Sequence, residues 1–462
     1  MTNKVYILLI FVLLLFKLIA VYFTNFTLYG DEAQYWLWSK SLDLGYFSKP
    51  PLLAWFLSGY AVFFGDSFFS LKIFPLAVYV FVSFAIYKLS LKLSLSKGNS
   101  VLCSLSFLII PATSLSSFLI STDLLLLLFW TMAMTKLLET RSNSSDLNFF
   151  LLGLLLGLAF LSKYAAVYFF IALFFLIIAD NKTLNIFKKN WRGSVLFIFA
   201  FIVVILPNIY WNLNNGWVTL QHTAENADLD NLNLNFYEPI KFLLSQILMI
   251  GPILCFSFFV LIKYFDFDFE NIFLLAFSLP IIFIVLIESF LVRANANWAA
   301  TALISFFILF FRLVSFRTPK LILVNFLFNY VVAFFLFGFI FISSELKMFD
   351  RIRGVDIFAK EVSSIINNSD LVISDRIIFS NMSYYFFNKQ NKIFMPYNQY
   401  APVTNHFQTT SPLNKKQSNS FYLIGNLGDT SYLLKKHEGV LIKEFDVPFN
   451  SNKLKLYEVN FK

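Results

Sequence analysis

Two adjacent carboxylates, Asp31 and Glu32, follow directly on the first long apolar run of the chain, and a lysine, Lys49, closes the same stretch just before Pro50-Pro51. A carboxylate within hydrogen-bond reach of a hydroxyl takes its proton as that oxygen attacks, so Asp31 is a candidate general base. A plainer role competes with it. Asp31 and Gln34, one turn apart, have the spacing of a capping box, in which Asp31 would only close a helix N-terminus. The residues alone leave both readings open. Glu32 reads as a first-turn partner of the helix dipole. Asp123, after Ser121-Thr122 at the start of an apolar helix, is either a helix opener or a second carboxylate of the same centre.

The candidate cations are Lys49, Lys163, His222 and Arg293. Lysines at membrane edges ordinarily snorkel to the head groups. Lys163 interrupts an otherwise apolar hairpin, where a charge costs ~2.5–3.5 kcal/mol on insertion scales and so needs a partner or a task. His222 shares a stretch with Trp217 and Glu225, where a loop hydrogen bond is the plain alternative to a ligand role. Arg293 is the one base in the short segment Arg293-Ala294-Asn295-Ala296-Asn297-Trp298. Such cations suit an anionic partner, and they stabilise a phosphate as it leaves with growing charge.

Elements set in a membrane must position these groups. The chain is 58% hydrophobic, 20% aromatic and 14% charged, the balance of an integral membrane protein. Crossing ~30 Å of hydrocarbon takes roughly 20 apolar residues, and about eleven runs qualify. The clear ones lie near 5–23, 69–91, 100–117, 121–138, 194–211, 238–262, 271–290, 298–312 and 321–343. The stretch from Leu147 to Ala179 is too long for one helix and reads as two, turning at Ser162-Lys163-Tyr164. Asp31 to Leu42 reads as a short helix lying on the membrane surface, with Tyr35, Trp36 and Trp38 as interfacial aromatics. Leu52 to Phe64 reads as a second interfacial helix. The first run, about Val5 to Phe23, is too long for the core of a signal peptide and reads as a retained anchor.

The net charge of +9 is a topology signal rather than a nucleic-acid footprint. Lys4, Lys92, Lys97, Arg141, Lys182, Lys188, Lys189, Arg192, Lys263, Arg317 and Lys320 fall in the N-terminus or alternate loops, cytoplasmic by the positive-inside rule. The opposite stretch, Asn212 to Tyr237, has no Lys or Arg and carries Glu225, Asp228 and Asp230. Asp31, Lys49, Lys163, His222 and Arg293 thus face the extracytoplasmic side. From about Glu345 apolar runs shorten. Val355 to Ile366 reads as an amphipathic helix, and Leu371–Ser374, Lys392–Met395, Phe421–Ile424 and Val440–Ile442 as strands, with a polar loop from Thr404 to Ser420. That is a small α/β domain, outside if the span count is odd. The expected division is a membrane domain over 1–344, whose first outer loop is 24–68, and a soluble domain over 345–462. Cys103 and Cys255 lie in apolar runs and have no metal or disulfide spacing. A lipid flippase or solute transporter would also be polytopic. It predicts paired half-repeats, which are not seen, and leaves the Asp-Glu stretch unexplained. An O-antigen ligase or polymerase carries its chemistry in a late outer loop instead.

The order of these blocks resembles a known family. Asp31-Glu32, Tyr35-Trp36-Leu37-Trp38 and the run Leu42 to Trp55 through Tyr46-Phe47-Ser48-Lys49-Pro50-Pro51 are similar to the GT-C glycosyltransferases of the protein O-mannosyltransferase-like superfamily. The nearest branch holds the lipid A aminoarabinose and rhizobial galacturonic acid transferases. Gly65-Asp66-Ser67, Ser121-Thr122-Asp123, Leu161-Ser162-Lys163-Tyr164, Leu206 to Asn212, Asn215 to Val218 and Arg293 to Trp298 continue the resemblance. It implies a GT-C fold in a bacterial inner membrane, with active site and C-terminal domain on the periplasmic side. It implies a polyprenyl-phosphate-linked sugar as donor and a lipopolysaccharide, other glycolipid, polysaccharide or protein acceptor, with inversion at the sugar carbon. Asp31 matches the family's catalytic acid, Asp123 a second acid, and Lys49 a lysine on the lipid phosphate. Glu32 and Tyr46 stand as supporting residues. Where the aminoarabinose branch has glutamate before that lysine, this chain has Ser48, which weakens a metal site there. No metal is assigned, and a divalent ion is the one cofactor left open. The arginine that follows the histidine region in that branch is absent after His222. Arg293 or Lys163 would supply the charge.

Overall fold

The computed structural model describes residues 2–227, 234–342, 346–413, 420–432 and 438–460. The chain is a multi-pass membrane protein, mostly helical, with a small C-terminal sheet. Among the described residues six helices are long and apolar enough to span: Asn3–Phe23, Phe68–Lys92, Trp191–Asn214, Phe269–Leu291, Ala296–Arg317 and Pro319–Phe341. Two sharply bent pairs raise the number to eight if each pair is one span.

The remaining apolar runs are helical but interrupted, which is where the expected count of eleven differs. The run over 100–117 divides into Lys97–Phe107 and Pro111–Ser116, with Pro111 opening the second helix where its missing N–H does no harm. The run over 238–262 bends by 101° between Tyr237–Ile250 and Pro252–Tyr264. Gly251, at φ +111, supplies a backbone conformation that other residues rarely adopt. Asp123–Ser142 is 20 residues long but carries Asp123, Lys136, Glu139 and Arg141. The hairpin read from Leu147 to Ala179 is present as Asp146–Ser162 and Tyr168–Ala179 around a break at Lys163.

The chain forms two compact units. The first comprises Met1–Ala20, Lys49–Leu53 and Leu71–Gly338. Its tightest helix pair is Asp146–Ser162 with Trp191–Asn214, which meet through a Gly-xxx-Gly face. A methyl group on Gly153 would stand 2.2 Å from the Phe197 carbonyl oxygen, and one on Gly157 would stand 2.7 Å from Val204 Cβ. In hydrocarbon, helices associate by such close packing rather than by exclusion of water. Two lysines are fully buried in this unit. Lys17 donates to Ser117 Oγ and lies 4.9 Å from the Phe337 ring centre, and Lys72 donates to the Phe118 carbonyl at 3.3 Å.

The second unit comprises Val21–Ser48, Ala54–Ser70 and Phe339–Lys462. Its sheet has five strands, β1 (Leu371–Ile373), β2 (Ile393–Phe394), β3 (Ser420–Ile424), β4 (Glu438–Phe445) and β5 (Leu454–Asn460). Their order is β2-β1-β3-β5-β4, with β1 parallel to both neighbours and β5 antiparallel to both of its own. Val372, Phe394, Leu413, Phe421, Leu423 and Val459 form its core. The helix Val355–Ile366 is where the sequence placed it. β5 was not anticipated, although Leu454, Leu456 and Val459 fall on buried positions of a largely alternating strand. The expected loop from Thr404 contains the short helix Phe407–Thr410, and its part over 414–419 lies outside the described residues. So do Asp228 and Asp230.

The Gly153 contact is with backbone and cannot move aside cheaply. Gly153→Ala is therefore expected to destabilise the purified protein by about 1–3 kcal/mol, the usual cost of overpacking. Gly59→Ala, with open space around it, should cost nothing. Thermal melts of the two variants in one detergent check the contrast.

Candidate functional site

The Asp-Glu stretch forms the helix Gly30–Lys40, as expected, but its N-cap is Tyr29 and not Asp31. Glu32, buried at 1% exposure, accepts the Tyr29 backbone N–H at 2.8 Å and so satisfies one of the helix's orphan donors. Asp31 has no part in the cap. Its Oδ1 accepts from Arg376 Nη1 at 3.2 Å, and both side chains are part-exposed. Arg376 also donates to Gln34 Oε1. Among the described residues Asp31 Oδ2 has no hydrogen-bond partner.

The aromatic residues of this helix are not displayed at a membrane surface. Tyr35, Trp36 and Trp38 are all buried within the second unit. Trp36 packs edge-on against Tyr384 at 4.8 Å and Phe387 at 5.1 Å, and its indole N–H donates to Asp66 Oδ2 at 3.2 Å. Asp66 also pairs with Lys40 and accepts the Tyr384 hydroxyl on its carbonyl at 3.0 Å. Burial would raise the Asp66 carboxyl, but the Lys40 ammonium and the Trp36 indole hold it below the usual carboxylate range. Composition cannot distinguish an interfacial tryptophan from a core one. Here the partners, on the helix Arg376–Phe386 and at Asp66, draw the rings inward.

Tyr46 is a pillar of the same region. It is fully buried, stacks on Trp38 at 4.4 Å with planes 6° apart, and has its hydroxyl within reach of the Trp38 and Ser41 carbonyls at 3.1 and 3.3 Å. Burial pushes its phenol far above the ordinary range, against the opposing hydrogen bond from the Asp43 backbone. His406 stands edge-on to both rings at 5.3 and 5.6 Å. Burial there lowers the His406 imidazole to about 4 against a weaker opposing pull from Asp43.

In the first unit, Asp123 begins the helix Asp123–Ser142 and is 9% exposed. Its two oxygens are both engaged, Oδ1 by Lys163 Nζ at 2.7 Å and Oδ2 by Asn297 Nδ2 at 3.0 Å. Lys163 holds this pairing from the extended break that ends the Asp146–Ser162 helix. The lysine that interrupts the hairpin thus has a carboxylate partner. Asn297 belongs to the Arg293–Trp298 segment, and its link to Asp123 was not anticipated. Arg293 itself is exposed and makes no ion pair among the described residues. Beside Lys163, the Tyr164 hydroxyl donates to Asn208 Oδ1 at 2.7 Å and accepts from Asn212 Nδ2 at 3.2 Å. Lys49 is half-buried in the bend before Pro50. His222, expected in a loop, lies on the helix Val218–Ala227. No cluster of three His, Cys, Asp or Glu side chains able to hold a metal occurs among the described residues.

Comparison with known proteins agrees with this architecture. Residues 48–211 match the family model described as dolichyl-phosphate-mannose-protein mannosyltransferase. The lipid A galacturonosyltransferase of Rhizobium johnstonii is 28% identical over 315 residues, 66% of this chain and 64% of the relative, so the match spans just under two thirds of that protein. The apo crystal structure of ArnT from Cupriavidus metallidurans superposes with a TM-score of 0.68 over 98% of this chain and 97% of that one, at 12% identity. The resemblance read from the sequence is borne out, and with it the fold.

Two outcomes follow from these contacts. Lys163→Ala leaves a largely buried carboxylate with one neutral partner. It should lower stability by on the order of 1–3 kcal/mol, read as a drop in melting temperature that Lys163→Arg largely reverses. His406 gives a pH effect of definite sign. Unfolded, it takes a proton near its ordinary value of about 6.5; folded, it resists until about pH 4. Its contribution is whole above pH 6.5, declines as pH falls, and is gone below about 4, for a total on the order of 3 kcal/mol. The difference between wild type and His406→Phe in melts across that window isolates it from the carboxylates.

Proposed function

We propose that this chain, which has the GT-C fold, is a membrane glycosyltransferase. It moves a sugar from a polyprenyl-phosphate carrier to an envelope acceptor on the periplasmic face of a bacterial inner membrane. The observation that carries the reading is Asp31, a part-exposed carboxylate that is relieved of capping by Tyr29 and Glu32 and keeps one oxygen without a partner among the described residues. A carboxylate with no structural use for that oxygen suits a general base. The match to the mannosyltransferase family model and the likeness to a lipid A galacturonosyltransferase support the reaction class and an envelope glycolipid as acceptor.

The chemistry is a single displacement. The acceptor oxygen attacks the anomeric carbon, the bond from that carbon to the phosphate oxygen breaks, and configuration inverts. Asp31 Oδ2 takes the acceptor proton. The leaving polyprenyl phosphate gathers negative charge, which Lys49 and Arg293 stabilise as cations. Lys163 Nζ has two hydrogens beyond the one given to Asp123 and adds to the same field. Asp123 then serves two ends. It holds the Lys163 ammonium in place, and through Asn297 it steadies the segment that bears Arg293. His222, half-buried on its helix, is assigned to the donor side with them.

Asp31→Asn decides the central assignment. It preserves shape, and since Asp31 does not cap its helix, stability should be unchanged. Transfer should fall by about 10²–10⁴-fold, the usual weight of a general base. An Asn variant that keeps wild-type turnover with polyprenyl-phosphate sugar would remove Asp31 from the chemistry and make Asp123 the next candidate.

A further inference from the structure

A general base must present one lone pair along a fixed line, and a carboxylate on a helix surface turns freely about its own axis unless something holds it. Asp31 is held from the far end of the chain. Arg376 opens the helix Arg376–Phe386, whose N-terminus is fixed by Asp375. The Asp375 carboxylate accepts the backbone N–H groups of Ile377 and Ile378 at 2.8 and 2.9 Å. The Arg376 carbonyl accepts the Ser380 hydroxyl at 2.8 Å. The side chain of Ile377, the next residue, packs directly onto Gly30, where a Cβ would lie 2.2 Å from Ile377 Cγ2. From that anchored position one guanidinium nitrogen, Nη1, gives its hydrogens to Asp31 Oδ1 and to Gln34 Oε1. Gln34 is 3% exposed and sits one turn along from Asp31. A planar guanidinium bound to a buried amide has little freedom left, and it passes that rigidity to the carboxylate.

We infer that Arg376 is a positioning residue for Asp31. It engages Oδ1, fixes the rotation of the carboxylate and leaves Oδ2 turned out toward the acceptor hydroxyl. Gln34 is the brace that keeps Arg376 in place. The C-terminal α/β domain thereby has a direct task in the reaction, since it supplies the group that aims the base. This inference rests on the reading of Asp31 as general base.

The test uses the full-length protein in detergent, with polyprenyl-phosphate sugar and a glycolipid acceptor. It compares Arg376→Ala, Arg376→Lys, Asp31→Asn and the Asp31→Asn/Arg376→Ala double variant. Misaligning a reacting group costs on the order of 10²-fold. Arg376→Ala should lower kcat by about that factor with KM for donor and acceptor little changed, and Arg376→Lys should recover part of it. In the Asp31→Asn background, removing Arg376 should do nothing more to the residual rate, because there is no base left to aim. A rise in KM with kcat intact would make Arg376 a binding residue and overturn the inference. So would losses that multiply in the double variant, or a loss matched by a fall in melting temperature that Lys does not repair. If Asp31→Asn itself stays active, the base assignment fails and Arg376 falls with it. If Asp31→Asn is inactive and Arg376→Ala is not, Arg376 alone is dropped.

Discussion

Gly30 lies against the Ile377 side chain, where a Cβ would stand 2.2 Å from Ile377 Cγ2. Everything around Asp31 depends on the absence of that atom. Because the helix starts touch, Arg376 reaches Asp31 and Gln34. Further along the same pair of helices, Trp36 packs between Tyr384 and Phe387, and Lys40 and Asp66 close the row. A helix whose mean composition is neither apolar nor amphipathic is thus fixed by ring contacts and a few charged hydrogen bonds rather than by a hydrophobic stripe. Tyr46, stacked on Trp38 and covered by His406, supports its other end.

A different constraint governs the first unit. Among spanning helices an unpaired charge is expensive, and Asp123 and Arg312 are both answered by partners. Asp123 takes both Lys163 and Asn297, and the break in the hairpin exists where that lysine must reach it. Arg312, inside the Ala300–Arg317 helix, donates to Asp268, Asn271 and the Leu93 carbonyl. The Asp123 pairing has two consequences. It meets the energetic demand of a half-polar membrane interior, and it fixes the segment on which Arg293 is carried.

Much of this could be read from the residues. Hydropathy placed the long spans, Pro and Gly marked the breaks, and short apolar runs marked four strands of the sheet. The order of short motifs led to the fold before any geometry. What escaped was set by distance along the chain. Nothing near Asp31 in sequence points to Arg376, and nothing near Asp123 points to Asn297, because a single polar residue on a helix or loop has no periodic signature. The capping question was open for the same reason: Asp31 and Glu32 are both legal in a first turn, and the N-cap had to be seen at Tyr29 to decide it. Trp36 and Trp38 read as interfacial because tryptophan collects at the lipid interface of membrane proteins, whereas here it fills a protein core. Lys17 and Lys72 lie inside apolar runs whose average hides a single charge. The pattern of β5, with Leu454, Leu456 and Val459 inward, is legible in the sequence.

The central claim is transfer from a lipid-phosphate donor with inversion. The direct measurement is to reconstitute the purified protein in vesicles with a radiolabelled polyprenyl-phosphate hexose and an envelope glycolipid. The fate of the label is then followed, and the anomeric configuration of the product is read by NMR. The account predicts that label passes to the glycolipid, that free polyprenyl phosphate appears in equal amount, and that the new bond has the configuration opposite to the donor's. Retained configuration, or transfer from a soluble nucleotide sugar with none from the lipid-linked one, would contradict it.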